Sequence, residues 1–300
     1  MKIPFKRLGD ISRVAFICVI IPAIIFYFYH LISKIDLRQI SELRVNPLLA
    51  LISIILFALG IYNKGLVLSC ELADISKKDA FRIMSVGEAI NMVVPFRLGD
   101  STKSNMLPRE YSFWKKTYIM YIPKLFDIIV LIIFCLLSIF FYNSLENEVG
   151  LDFMFYSGIV LGLIVIAFTV AQFFPKTKEK TAEFIKEDLG GVSKHIFTSW
   201  LFIYASIVIA LFSLNMPADV AFRGALGVIV ATNISMLVPG TPGGIGYFEA
   251  LTTLALSDLI NQSYALGAAL LIHLIQYAAL LPLGFFMFFF GKKLKKTSCK

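Results

Sequence analysis

The chain has 300 residues, 58% hydrophobic and 16% charged, with a mean hydropathy of +0.80, more apolar than an ordinary soluble domain. Its positive excess, 28 Lys and Arg against 20 Asp and Glu for a net +8, falls in short clusters at the ends of apolar runs, a pattern that orients membrane spans and argues against nucleic acid. The four cysteines (Cys18, Cys70, Cys135 and Cys299) show no CxxC or Cys/His spacing, so neither a metal nor any other cofactor is expected.

In chain order, Lys2, Lys6, Arg7 and Arg13 precede a first apolar run. The run is too long for a secretory leader and no small-residue cleavage site follows, so it reads as an uncleaved span. Six stretches meet or approach the roughly 20 apolar residues that a transmembrane helix needs: Val14 to Ser33, Pro47 to Ser69, Thr117 to Tyr142, Phe153 to Phe174, Ser199 to Asn215 and Ala265 to Phe290. Two further apolar regions, Ala80 to Leu98 and Ala218 to Leu256, are interrupted by Pro and Gly and carry ionisable residues. Each is expected to be broken, either dipping in and returning or forming a tight helical hairpin.

The clusters Lys2 to Arg13, Lys77 to Lys116, Lys176 to Lys194 and Lys292 to Lys300 are basic, whereas Glu146, Glu148 and Asp152 stand together without Lys or Arg. Six crossings put the basic clusters on the cytoplasmic side and the acidic loop outside; Lys34, Arg38 and Arg44 fit this arrangement poorly. The expected protein is multi-pass in the inner (cytoplasmic) membrane, with both termini cytoplasmic. Each half then reads span, span, broken segment, span, and the halves enter from opposite faces, an inverted-topology repeat. The expected fold class is an all-α integral membrane protein, with six full transmembrane helices and two broken or re-entrant hairpins. It forms a single domain over 1–300, with halves near 1–147 and 148–300. Aligning Pro95 with Pro239 pairs Ala89–Asp100 with Asn233–Gly244 at Ile, Met, Val, Pro and Gly.

Non-helical backbone is tolerated at membrane depth only where protein or a water-filled cavity surrounds it. Pro95 with Gly99, and the run from Pro239 through Gly240, Gly243, Gly244 and Gly246, are therefore expected to face each other or a cavity. Glycines there let a ligand approach, and freed helix ends present N–H groups to an anion; a tight bend or close helix packing is the alternative. The run lacks the GK[ST] ending of a nucleotide-binding loop.

The strings Asn91-Met-Val-Val-Pro-Phe-Arg-Leu-Gly-Asp100 and Met236-Leu-Val-Pro-Gly-Thr-Pro-Gly-Gly-Ile-Gly-Tyr-Phe-Glu249 resemble the two motif regions of the lysylphosphatidylglycerol synthase transmembrane, or flippase-like, family. The family's first motif often ends in an acidic residue after Arg-x-Gly, where Asp100 stands. The resemblance implies a membrane domain that carries aminoacylated phospholipid, or in stand-alone relatives polyprenyl-linked sugars, between leaflets. Without the soluble aminoacyltransferase domain of some relatives, it implies a lipid made elsewhere and a lipid-modifying glycosyltransferase or synthase as candidate partner.

Ionisable residues inside spans cost about 2.5–3.5 kcal/mol each, so they face the interior of a bundle. Arg97, between Pro95 and Gly99, suits a phosphate because a guanidinium engages two oxygens at once; a topology charge is the alternative. Lys124 and Asp127 share a helix face, as a neutralising pair or as substrate contacts. Glu88, Asp100 and Glu249 flank the breaks, where a carboxylate meets an ammonium or takes up a proton; Glu249 also suits a helix cap. Arg223 is expected near the outer surface, receiving the phosphate or snorkelling. His273, Gln276 and Tyr277 share a face suited to polar interhelical contact, and Asn91 and Asn233 to tying down broken backbone.

The expectation is a flippase moving an anionic lipid, preferably a polyprenyl-phosphate-linked (amino) sugar, its phosphate held by Arg97 and the Gly-rich break. The alternatives are an aminoacylated phospholipid such as lysyl-phosphatidylglycerol as cargo, a membrane transferase using Asp100 or Glu249 as base, or a partner subunit of a lipid-modifying enzyme. No HExxH, GxSxG or paired-Asp motif stands in a catalytic frame, so an enzyme is not expected.

Overall fold

The computed structural model describes residues 43–72, 75–143, 189–237 and 241–290. Its helices are α1 (Pro47–Glu71), α2 (Lys77–Val93), α3 (Leu98–Met106), α4 (Phe113–Asn143), α5 (Leu189–Ser213), α6 (Ala218–Leu237), α7 (Tyr247–Ser257) and α8 (Gln262–Phe290), with 3-10 turns at Pro95–Arg97 and Pro242–Gly244. No strand occurs among the described residues. The predicted spans Val14 to Ser33 and Phe153 to Phe174, the acidic loop, and most of the basic clusters lie outside them.

Helix starts follow the local chemistry. The Asn46 side chain accepts the N–H groups of Leu48 and Leu49 at 3.0 and 3.3 Å, and Pro47 at the first helical position lacks the N–H that would otherwise be orphaned. Ser76 caps α2, accepting the Asp79 N–H at 3.1 Å.

Five described helices are long and apolar enough to cross a membrane: α1, α4, α5, α6 and α8. Four coincide with predicted spans. The fifth, α6, is the first arm of the second broken region. Its two charges, Asp219 and Arg223, stand in its first two turns, leaving an apolar stretch behind them. The corresponding α2 carries Lys77, Lys78, Asp79, Arg82 and Glu88 and lacks such a stretch. Large apolar side chains such as Leu48, Leu51, Ile55, Leu274 and Phe285 are more than half exposed, a surface suited to lipid.

Element lengths recur along the chain: 25, 17, 3, 9 and 31 residues from α1 to α4, then 25, 20, 3, 11 and 29 from α5 to α8. The leading helices of the two series, α1 and α5, pack antiparallel. Asn46 donates its N–H to the Ser213 carbonyl at 2.7 Å, and Asn63 meets His195 at the other end, 3.3 Å apart. Midway, Ser53 and Ser206 each donate a hydroxyl to the other's carbonyl at 2.7 and 2.8 Å. A side chain added at Gly60 would press on Ile203 and the Ser199 carbonyl at 2.9 and 3.1 Å. Small residues thus let these backbones approach, as in other membrane helix pairs.

The structural counterpart of Pro95 is Pro242, three residues beyond the Pro239 of the string alignment. Both prolines open a 3-10 turn whose next residue is left-handed, Phe96 at φ 62, ψ 20 and Gly243 at φ 59, ψ 9. The third residues, Arg97 at φ 54 and Gly244 at φ 76, are left-handed too. The two turns contact each other, and the second also packs on α2.

Candidate functional site

The first break folds α3 back on α2. A Cβ at Gly99 would run into the Gly87 carbonyl oxygen and the Asn91 side chain, and one at Gly87 would strike the Lys103 stem, so the hairpin closes only because both positions are glycine. That closure lays Lys103, 3% exposed, along α2. Its ammonium reaches Glu88 and Asp100 at 2.7 Å each. Asn91 donates to the same carboxylates at 3.4 and 3.3 Å, and Arg97 Nε to Asp100 at 3.2 Å. Charges taken from water need this density of partners.

A second charged group faces the first. Asp127 on α4 accepts from Trp200 Nε1 on α5 at 2.9 Å and pairs with Lys64 on α1 at 3.2 Å. Lys64 also lies over the Trp200 ring, 5.2 Å from its centroid, a cation–π arrangement. Lys124, its side chain 44% exposed, reaches Asp127 only at 4.0 Å.

Between the groups opens a cavity of about 690 Å³, counting the solvent at its mouth. Lys64, Lys103, Lys124, Glu88, Asp100 and Asp127 line it, with Leu68, Met84, Ile119, Met120 and Pro123 as apolar wall. With Arg97 behind Asp100, four cations meet three carboxylates. Pro123 sits inside α4 and, having no N–H, leaves the Ile119 carbonyl without its helical donor at the cavity wall. The chemistry of this lining, cations suited to a phosphate, carboxylates suited to an amine and an apolar wall, matches a mixed-charge headgroup.

Of the predicted site residues, the structure brings Glu88, Asp100, Lys124 and Asp127 to this cavity, with Arg97 one contact behind. Gly243, Gly244, Gly246 and Glu249 form a separate cluster with α8. There Gly244 N–H bonds the Thr241 carbonyl at 3.3 Å and Ile245 N–H the Pro242 carbonyl at 3.1 Å. Gly246 N–H bonds Glu249 at 2.7 Å. These three donors, expected for an anion, are satisfied within the break, and Glu249 closes a helix cap. Arg223 joins neither cluster; it pairs with Asp219 one turn earlier on α6 at 3.6 Å. Pro239 and Gly240 lie outside the described residues.

Sequence reasoning missed Lys64, Lys103 and Trp200. Lys64 had a signal, a lone lysine inside a predicted span. Lys103 stands three residues after Asp100 but was absorbed into a basic loop. Nothing local marked Trp200, which the α1–α5 pairing brings to Asp127.

The family model described as lysylphosphatidylglycerol synthase TM region matches residues 11–284. A phosphatidylglycerol lysyltransferase of Staphylococcus haemolyticus (strain JCSC1435) is 25% identical over 285 residues, which are 91% of this chain and 33% of that protein. The chain therefore spans a third of that relative's length. No solved structure matches the chain.

Proposed function

The chain belongs to the lysylphosphatidylglycerol synthase transmembrane family, and from that premise we propose that it is a flippase, moving a phosphate-bearing lipid between the leaflets of the cytoplasmic membrane. The observation that carries this reading is the mixed-charge cavity. Lys124, loosely paired and part-exposed, offers the phosphate its most available cation, seconded by Lys64. Glu88, Asp100 and the freed Ile119 carbonyl receive a headgroup ammonium, and the acyl or prenyl tails stay in lipid. This moves the phosphate from Arg97 and the Gly-rich break to the lysines of the cavity. Arg97 becomes a residue that holds Asp100 in place.

Two cargoes carry both charges: an aminoacylated phosphatidylglycerol and a polyprenyl-phosphate amino sugar. The lysyltransferase relative favours the first. Recurring element lengths and the antiparallel α1–α5 pair support an inverted-topology repeat, the architecture that gives a transporter alternating access. A synthase or glycosyltransferase that makes the lipid is the partner this activity requires.

The test is reconstitution into liposomes with either lipid labelled in one leaflet, followed by its appearance in the other. Lys124→Ala is expected to slow the preferred cargo about ten-fold, the loss of one charge-assisted hydrogen bond. Transport equal to wild type in both Lys124→Ala and Lys64→Ala would dislodge the cavity as the cargo site.

A further inference from the structure

A polar network at the second break plays no part in the cavity. His273 and Glu249, 3% and 5% exposed, touch through Nδ1 and Oε1 at 2.5 Å. The other imidazole nitrogen, Nε2, is 3.1 Å from the Gly243 carbonyl. The second Glu249 oxygen accepts the Gly246 N–H. Phe248, fully buried, lies 4.4 Å ring to ring from His273, and Tyr277 lies 4.9 Å from it. The Tyr277 hydroxyl donates to the Met92 carbonyl at the end of α2. Gly243 itself lies where a Cβ would strike both the Tyr277 hydroxyl and that carbonyl. The network thus ties the second break to the first.

Counting protons shows what holds it. A carbonyl oxygen only accepts, so Nε2 facing Gly243 carries hydrogen. The contact between Nδ1 and Glu249 then needs one more proton, on Nδ1 of an imidazolium or on a neutral carboxyl. Either way the pair holds two dissociable protons and has no net charge. Release of one to water leaves a neutral imidazole and a carboxylate with net charge −1. The remaining proton satisfies Glu249 or Gly243, and the other contact becomes two lone pairs facing each other.

We propose that Glu249 and His273 form one proton-binding site, which holds the second break against the first while occupied and frees it when the proton leaves. Among the described residues no other charged group shares the site. Glu249 and His273 make no ion pair with Lys64 or Glu71 on α1, Arg82 or Glu88 on α2, His195 on α5 or Arg223 on α6. Among the described residues the groups in reach are His273 itself and the Tyr277 phenol. In transport terms, which rest on the flippase reading, the bound proton is the coupling ion.

Glu249→Gln tests the site cleanly, because a glutamine amide mimics the protonated carboxyl: its oxygen accepts the Gly246 N–H and its NH₂ donates to Nδ1. Nitrogen-15 spectra of labelled histidine in the purified full-length protein should show a one-proton step at His273 across the range where histidines and carboxyls titrate. In Glu249→Gln, His273 should stay neutral with hydrogen on Nε2 throughout. A His273 that titrates alike in both proteins, or that never carries hydrogen on Nε2, overturns the proposal. In liposomes, wild-type lipid flux should change ten-fold per pH unit on its titrating limb and be flat with pH in Glu249→Gln, whereas His273→Gln, which keeps the Glu249 carboxyl, should displace that limb. A wild-type pH profile in His273→Gln overturns the proton site too. If the wild type moves no lipid at any pH, the flippase reading fails, while the histidine spectra still decide the site.

Discussion

Lys103 shows how burial turns one side chain into a structural commitment. Its ammonium is shared between two carboxylates at 2.7 Å, and its stem fills the groove left by Gly87. Lys103→Met keeps the apolar stem but strands Glu88, so thermal unfolding in detergent should report a loss of about 3 kcal/mol. That is the low end for a broken buried pair, because Asp100 is 36% exposed and water compensates it. Lys103→Met with Glu88→Gln should recover most of the loss, the non-additive signature of a direct pair. Singly, Glu88, Asp100, Lys124 and Asp127 were legible in the sequence as charges in apolar surroundings. The Lys124–Asp127 pairing was legible too, three residues apart on one helix; Lys103 as partner of Glu88 was not, because an ion pair 15 residues apart in sequence exists only once a hairpin has closed.

At the scale of elements, the two breaks share one backbone shape and solve it differently. The second places glycine at both left-handed positions, whereas the first asks Phe96 and Arg97 to adopt them, at about 1 kcal/mol or more for each non-glycine residue. Phe96→Gly should therefore be tolerated or mildly stabilising in a melting assay. Gly243→Ala should lower the melting temperature and the yield of folded protein, since the added carbon meets both an unfavourable φ and the Tyr277 hydroxyl. Gly99→Ala should act more severely by prising α3 from α2, read out as lost monodispersity on gel filtration. Pro and Gly announced both breaks correctly. They did not fix the register: among the described residues it is Pro242 that opens a turn with the dihedrals found after Pro95.

At the scale of the molecule, hydropathy was a sound guide to helices, since lipid leaves a spanning chain few alternatives to hydrogen-bonding within itself. It was a poor guide to where the polar centre lies. The charged cavity is walled by α1 to α4, and the described part of the Gly-rich run contacts the first break instead. The pairing of α1 with α5 decides this, by carrying Trp200 across to Asp127 and leaving α7 and α8 to close around Glu249.

The α1–α5 seam has a consequence for how the chain can be taken apart. Its serine exchange is reciprocal, each partner giving what the other gives back, as in a self-complementary contact. A gene cut between codons 147 and 148 should still yield a working assembly when both pieces are made in one cell. Co-purification of an untagged half with a tagged one would report it, and Gly60→Val, which wedges the seam, should abolish the rescue while leaving each fragment in the membrane.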